Sequence, residues 1–495
     1  MHEETEATPE PPEESTLIAE RRAKLARLRD AGLEPFPAAY PGREPVADVR
    51  GAHSALADGE ETEVRHTVAG RVMAKRGHGK AAFIDLRDGT GQIQLHSRED
   101  VLGIHEHELL LEADLGDFIG VEGVAFKSRR GELSLRLESW RPLAKSLRPL
   151  PDKHAGLADV ETRFRHRELD LIANPEVLER FKQRAQVIAE TRSWLDGHGF
   201  IEVETPILQP LYGGALARPF TTHHNALDRD LYLRIATELY LKRCVVGGID
   251  RVYELGKDFR NEGVSPKHNP EFTMLEWYEA YADYEDAAAR LEDLVVTVAR
   301  TVFGATQIER GGASIDLDSP WRRVTMRDAI VEATGVDLDL RPSREELIGA
   351  LGSDPGAGSG WGKLVDQLFS KRVEPGLIQP TFVMDYPVEL SPFAKRHRSK
   401  EGVVERWEAF LGGVEIANAF SELNDPDEQR RRFEQQAEEM ERGDADAQPH
   451  DEDFLRALEQ GMPPTAGVGL GIDRLVMLLT GAPSLREVLL FPAMR

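Results

Sequence analysis

Between residues 64 and 142 apolar and polar positions alternate in five short runs, at 66–73, 81–88, 92–96, 117–126 and 132–140. A period of two marks half-buried strands, and turn residues such as Asp88-Gly89 and Gly131 punctuate the runs. A more polar stretch with helical character, 100–112, separates the third run from the fourth. Five strands with that interruption predict a small Greek-key barrel of the OB type. Elsewhere the apolar period is that of a helix. Leu17, Ile18, Leu25 and Leu28 fall near one face of a segment that Ser15 or Thr16 would cap and Gly32 would stop. Asn174 and Pro175 are the expected cap and first residue of a longer helix reaching Gly197, with Val177, Leu178, Phe181, Ala185, Ile188 and Leu195 recurring along it. That helix and the strand-like 200–206 behind it serve either as plain core or as a self-association surface. Further helical pattern covers 279–303. Stretches at 326–334, 343–351 and 362–372, between Gly/Pro-rich breaks, predict an insertion at about 304–379.

The stretch from Tyr253 to Tyr281 reads as two strands joined by a polar, turn-rich loop, 263–269. Alternation puts Arg260 and Glu262 on one face of the first strand, and Phe272, Glu276 and Tyr278 on one face of the second. One guanidinium, two carboxylates, a phenol and an aromatic ring do not make a dry core. They suit a nucleotide and a cationic co-substrate: Arg for phosphate, a flat ring for the base, acids for an ammonium group. A second hairpin is expected to turn at Gly412-Gly413, which sets 410 opposite 415 and brings Glu408 and Glu415 to one face. Two carboxylates there suit Mg²⁺ carried on phosphates. Asn418, Phe420 and Glu422 share a face out of phase with Glu415, so a bulge is needed if all serve one site. Near the end, the Gly-rich 466–471 runs into a helix expected to be capped by Asp473, with Arg474 in its first turn. A cation disfavoured by the macrodipole at that end is relieved by a bound anion.

Composition narrows the field. The 495 residues carry 62 basic and 87 acidic side chains, a net charge of −25, so indiscriminate coating of nucleic acid is excluded while a local basic face is not. The barrel offers one: Phe83 lies among Arg71, Lys75, Arg76, Lys80 and Arg87, with Gln92 and Gln94 able to read base edges. The basic helix at 16–31 either lies beside RNA or packs on the next domain. The only cysteine, Cys244, excludes an intrachain disulfide and fits a reducing cytoplasm. No run is apolar enough to span a membrane. The expected organisation is a disordered acidic tail (1–14), a helical extension (15–63), the barrel (64–143), a proline-marked linker (144–173) and a large domain (174–495).

Together these segments resemble the class II aminoacyl-tRNA synthetases, and within them the lysyl subfamily. The resemblance rests on a long helix ending in GFIEVETPIL, the FRNEG hairpin and the terminal GLGIDRLVMLLTGAPSLREVLLFPAMR, with YGGALARPF, KHNPEFTMLEWYEAYADY, YPVELSPFAK and ANAFSELNDP between and beside them. It spans about residues 15 to 495. It implies an α+β chain: an N-terminal OB-type barrel that binds the anticodon, and a catalytic domain built on an antiparallel β-sheet flanked by helices. It also implies ATP with Mg²⁺, homodimerisation through the first motif, and L-lysine and tRNA(Lys) as partners. Carried onto this sequence, Arg260 and Arg474 are the catalytic cations, and Arg260, Glu262, His268, Phe272, Glu408, Glu415 and Arg474 contact ATP. Gly214, Glu238, Arg260, Glu276, Tyr278, Asn418, Phe420 and Glu422 surround lysine. Glu408 and Glu415 hold the metal, and Phe83, Gln94 and Glu132 read the anticodon. Two residues depart from the pattern: Leu216, where a small residue is usual beside Gly214, and Glu168, where tyrosine is common. The competing readings are an aspartyl- or asparaginyl-tRNA synthetase, a paralogue that modifies a protein, and a catalytically silent RNA-binding protein.

Overall fold

The computed structural model describes residues 16–494 apart from positions 78, 152–156, 216, 319, 354–359, 392 and 442–448. The expected tail at 1–14 and the departure at Leu216 lie outside the described residues. Two compact units divide the chain, Met1–Ala158 and Asp159–Arg495.

The first unit is a closed barrel of Glu61–Arg76, Ala81–Arg87, Gln92–Arg98, Phe118–Lys127 and Leu133–Ala144, ordered first, second, third, fifth, fourth. The third and fifth strands run parallel and the other pairs antiparallel. Alternate residues point inward, so Val68, Val72, Ile84, Leu86, Ile93, Leu95, Val121 and Leu135 fill the interior. The first strand shifts register between Val72 and Ala74, the kind of kink that lets one strand bend around a barrel. The helix Thr16–Asp30 turns three of its cations onto the barrel. Arg21 is buried and donates to the carbonyls of Ser146, Arg148 and Leu115, Lys24 meets Asp114 at 2.6 Å, and Arg27 meets Glu112 at 2.9 Å. Of the two readings of that helix, packing accounts for these three residues.

The second unit is built on an eight-stranded sheet in the order Arg322–Thr325, Thr381–Met384, Arg406–Leu411, Val414–Ser421, Thr465–Gly471, Glu271–Ala280, Arg251–Phe259, Ile201–Glu202. Its inner pairs are antiparallel, and only the two edge strands run parallel to their neighbours. One face is dry. Leu275, Trp277, Trp407, Ala417, Val468 and Leu470 pack against Val187 and Trp194 of the helix Pro175–Gly197 and against Leu291, Leu294 and Val295 of Tyr284–Phe303. The latter helix is sharply bounded by a capping box at Asp283/Asp286 and a left-handed Gly304. The residues between those core positions face the other way and build the site.

Two local expectations differ. Residues 160–173, placed in the linker by their flanking prolines, form the helices Val160–Arg165 and Arg167–Ala173. A fully buried Arg167–Asp170 pair holds them, with Arg167 also donating to the carbonyls of Arg486 and Leu489 at 2.7 and 3.0 Å. Asn174 makes no side-chain cap bond; its amide donates to Asp170 instead, at 2.6 Å. Glu168 is exposed and faces His166, so its departure from the family pattern touches no packing.

Candidate active site

A cavity of about 350 Å³ opens on the polar face of the large sheet. The two hairpins and the Gly-rich strand between them build it. Phe272, Met274, Glu276 and Tyr278 come from alternate positions of one strand, Gly467, Gly469 and Gly471 from the next, and Asn418 and Phe420 from the third. Gly214, Glu238, Arg260, Glu262, His268, Glu415 and Arg474 complete the wall. Glu408 and Glu422 lie behind it, the first linked through Arg406 to Asn418, the second beneath Gly467.

One end is cationic. The first hairpin strand ends at Phe259, so Arg260 and Glu262 stand in the loop rather than on a strand face; the strand pairing stops where the backbone of Arg260 reaches Pro270. The Arg260 guanidinium lies 5.2 Å from the centre of the Phe272 ring, and its Nε donates to Ile235 O at 3.4 Å. Beneath it Arg234 is buried, donates to Lys257 O at 2.9 Å, pairs with Asp258 at 3.1 Å and contacts Glu254. Burial pushes Asp258 up to about 6 although Arg234 and Arg260 oppose the shift. Arg474 donates to the backbone and side chain of Glu415 at 2.8 and 2.9 Å. Gly471, not Asp473, is the helix cap: Asp473 accepts from Thr273 N at 2.8 Å and pairs with Arg184 at 2.6 Å, which ties the helix start to the first hairpin. His268 sits in the exposed loop, its Nδ1 2.9 Å from Ser265 Oγ.

Around Glu408 the register behaves as the out-of-phase pattern demanded. Phe410 pairs with Glu415 and Ala409 with Ala417, leaving Ile416 as the extra residue of a bulge, so Glu408 faces Asn418. The hairpin also carries a cation, just before Glu408. Arg406, on the same face as Glu408, donates to it at 2.6 Å and to Asn418 Oδ1 at 2.9 Å, and Tyr386 OH donates to Glu408 at 2.8 Å. Burial pushes Glu408 up to about 7; Arg406 opposes this and Glu415 adds to it.

The other end is acidic. Glu238, Glu276 and Glu422 are all buried. Glu276 accepts from Thr237 N at 3.2 Å and from Tyr278 OH at 3.4 Å. Lys242 reaches Glu238 Oε1 at 2.6 Å and contacts Glu422 Oε2, while Glu422 Oε1 has no hydrogen-bond donor among the described residues. Burial pushes Glu276 and Glu422 each up to about 8 and raises Glu238 as well. Tyr278 is held far above its ordinary value by burial and these carboxylates. The site therefore keeps buried acid in excess, which a ligand cation would relieve. Gly214 has a φ of 86°, and a methyl there would come within 2.9 Å of Glu238 Cβ.

Residues 159–495 match the family model of tRNA synthetases class II (D, K and N), and residues 66–143 match an OB-fold nucleic acid binding domain. The lysine–tRNA ligase of Moorella thermoacetica is 52% identical over 485 residues, 97% of this chain and 98% of that protein. Those of Syntrophomonas wolfei and a Synechococcus strain are each 51% identical, over 97% of this chain and 97% and 99% of theirs. The chain belongs to the class II tRNA synthetases. The synthetase thus has the OB barrel and the antiparallel-rich catalytic sheet that its sequence pattern implied, and it is a ligase.

The barrel of this synthetase carries an aromatic face. Phe83 is 36% exposed and stacks on His96, ring centres 4.6 Å apart and planes at 8°, with Phe126 5.8 Å beyond. Gln94 lies on the same face and accepts from Ser134 Oγ at 3.1 Å; Glu132 is exposed in the turn before the fifth strand, 3.6 Å from Arg50. Not all the surrounding cations are available to a ligand. Lys75 donates to the carbonyls of Leu111 and Ala113, Arg71 donates to Gly116 O and covers the Phe118 ring, and Arg76 pairs with Asp85 at 2.8 Å. Sequence reasoning missed His96, Lys242, Arg406 and Tyr386. Lys242 follows Glu238 by four on one helix and Arg406 precedes Glu408 by two on one strand, spacings that put each pair together. His96 sits opposite Phe83 by strand register. Tyr386 reaches Glu408 from a loop with no such signal.

Proposed function

We propose that this synthetase activates L-lysine with ATP and transfers it to tRNA(Lys). The observation that carries the choice of lysine is the buried trio Glu238, Glu276 and Glu422, served by a single buried ammonium, Lys242, among the described residues. An aspartate or asparagine side chain entering that cluster would add acid or an amide to carboxyls already held high by burial and would leave them unpaired. In this reading Glu276, Tyr278 and Glu422 receive the ε-ammonium, Glu238 and Gly214 the α-amino group, and Arg260 with Asn418 the carboxylate, with Phe420 forming the apolar wall. Phe272 stacks on adenine, Arg260 holds the α-phosphate, Arg474 the γ-phosphate, and Glu262 and His268 border the triphosphate. A lysine carboxylate oxygen then attacks the α-phosphorus in line, the bond to pyrophosphate breaks, and lysyl-adenylate remains. Next the terminal ribose hydroxyl of the tRNA attacks the acyl carbon and AMP leaves. The enzyme supplies position and charge rather than a nucleophile.

Glu415 adds to the raised proton affinity of Glu408, and a divalent cation shared with phosphate oxygens relieves that repulsion, so the donor set fits Mg²⁺. Bound there, the ion supplies charge neutralisation for the triphosphate. A homodimer accords with the apolar side chains left exposed after the long helix, Ile201, Ile207, Leu208 and Leu211. No described helix is long and apolar enough to cross a membrane, and a cytoplasmic site of action accords with a single cysteine.

The deciding experiment is ATP–pyrophosphate exchange with each standard amino acid, without tRNA. Exchange with lysine alone is the expected result; exchange driven by aspartate or asparagine overturns the reading. The raised acids add a pH signature. Below about pH 8 the free site keeps protons on Glu276 and Glu422, and an entering ammonium expels them. The lysine KM is therefore expected to fall as pH rises from about 6.5 to 8.5, by up to about tenfold per unit for each proton lost. Calorimetry in buffers of different ionisation enthalpy should register proton release. The same groups bind protons more tightly folded than unfolded. They stabilise the free protein below their ordinary pKa of 4.5, and that contribution is lost as pH rises through about 8. The Tm increase given by lysine is thus expected to grow across that window.

For the barrel, Phe83→Ala removes a stacking platform worth about 1–3 kcal/mol per base. The tRNA KM is expected to rise about five- to hundredfold with lysine-dependent exchange unchanged; equal losses in both assays would make Phe83 a structural residue.

A further inference from the structure

Lys242 has no part in the chemistry above, yet its side chain is sealed inside the acid cluster with none of its surface exposed. A lysine on a helix ordinarily extends its stem so that the ammonium reaches water. This one turns inward. Its Nζ lies 2.6 Å from Glu238 Oε1, contacts Glu422 Oε2, and stands 5.6 Å from the ring centres of both Phe393 and Phe420. Burial disfavours its charge, but Glu238 and Glu422 outweigh that and hold it protonated. Each carboxylate thus commits one oxygen to Lys242. The second oxygens face the cavity wall: Glu422 Oε1 lies against Gly467, where a methyl would stand 2.0 Å away, and Glu238 Oε2 lies 3.6 Å from where a methyl on Gly214 would stand.

We propose that Lys242 is a positioning residue for amino-acid selection: it pins one oxygen of Glu238 and one of Glu422, turns the other oxygen of each to the substrate, and tunes the cluster to a substrate with two ammonium groups. The proposal rests on reading the cavity as a lysine site. The charge count supports it. With all groups ionised, Glu238, Glu276 and Glu422 against Lys242 leave two net negative charges. Tyr278 stays neutral, on the neighbouring strand Glu254 and Asp258 are both paired with Arg234, and Arg260 is left for the lysine carboxylate. The α- and ε-ammonium groups of lysine close that balance. Without the resident ammonium a third acid charge is unmatched, a carboxyl keeps its proton, and neutral carboxyls bond to one another rather than to the ligand.

The test is Lys242→Met assayed by lysine-dependent ATP–pyrophosphate exchange. The expected result is a lysine KM raised about ten- to hundredfold at neutral pH, an ATP KM changed less than about threefold, and a partial recovery of the lysine KM as pH rises to about 9. An unchanged lysine KM, or equal changes for both substrates at every pH, overturns the proposal. A second comparison holds even where the single variant folds poorly, because it removes the cation together with one partner. Adding Lys242→Met to Glu422→Gln is expected to raise the lysine KM less than about threefold over Glu422→Gln alone; a further rise of about ten- to hundredfold means Lys242 does not act through Glu422. Wild-type enzyme that exchanges with no amino acid, or not with lysine, refutes the substrate reading instead, so the two failures are distinguishable.

Discussion

Arg260→Ala is expected to lower lysine-dependent ATP–pyrophosphate exchange by about a thousandfold or more while leaving the fold intact. The size follows from position. The guanidinium sits beside the Phe272 ring where adenine would stack and at the join between the cationic and acidic ends of the cavity. In the proposed reaction it would therefore meet the charge that develops on the α-phosphate and the attacking carboxylate together. The fold survives because Arg260 is only half-buried and, among the described residues, its side chain makes one long hydrogen bond, to Ile235 O at 3.4 Å. Arg234, one layer below, is the contrasting case: it is buried and braced by Lys257 O, Glu254 and Asp258, so its loss would strand two buried acids. Circular dichroism and thermal melts of Arg260→Ala should match the wild type within a few degrees, and exchange within about tenfold of the wild type would remove Arg260 from the centre of the mechanism.

Much of this was legible in the chain because strands write their faces in alternate residues. Phe272, Glu276 and Tyr278 fall on one side of a strand whose other side, Leu275 and Trp277, is core. The bulge at Ile416 is what the same arithmetic requires if Glu415 and Asn418 serve one site, since they cannot share a face on a regular strand. The limits of legibility are equally physical. Arg260 and Glu262 looked like strand residues because alternation continues past the point at Phe259 where pairing stops. Asp473 looked like a helix cap, but Arg184 and Thr273, far away in sequence, claim its carboxylate. The cations near Phe83 looked like an RNA face, yet Lys75 and Arg71 are spent on barrel carbonyls. Charge count along a sequence says how many cations a region has; which of them stay available depends on carbonyls that only the fold brings near.

The same gap explains the glycines at 467, 469 and 471. Their alternation puts all three on one face of the strand. The structure separates them. At Gly467 a methyl would stand 2.0 Å from Glu422 Oε1 and 2.4 Å from Tyr278 Cε1; at Gly469 nothing lies nearer than 3.8 Å. Gly467 is opposite Tyr278 on one neighbouring strand and Phe420 on the other, so the backbone cannot yield without disturbing both. Glu422 has to move instead, and its other oxygen is held by Lys242. Gly467→Ala is therefore expected to break the acid cluster itself, raising the lysine KM about a hundredfold or more, while the ATP KM changes by only a few fold because Phe272, Arg260 and Arg474 are untouched. Gly469→Ala is expected to cost far less in lysine affinity. Steady-state exchange with lysine and ATP varied separately decides it: if the two variants lose lysine affinity equally, the close approach of Glu422 to residue 467 is not what shapes the pocket.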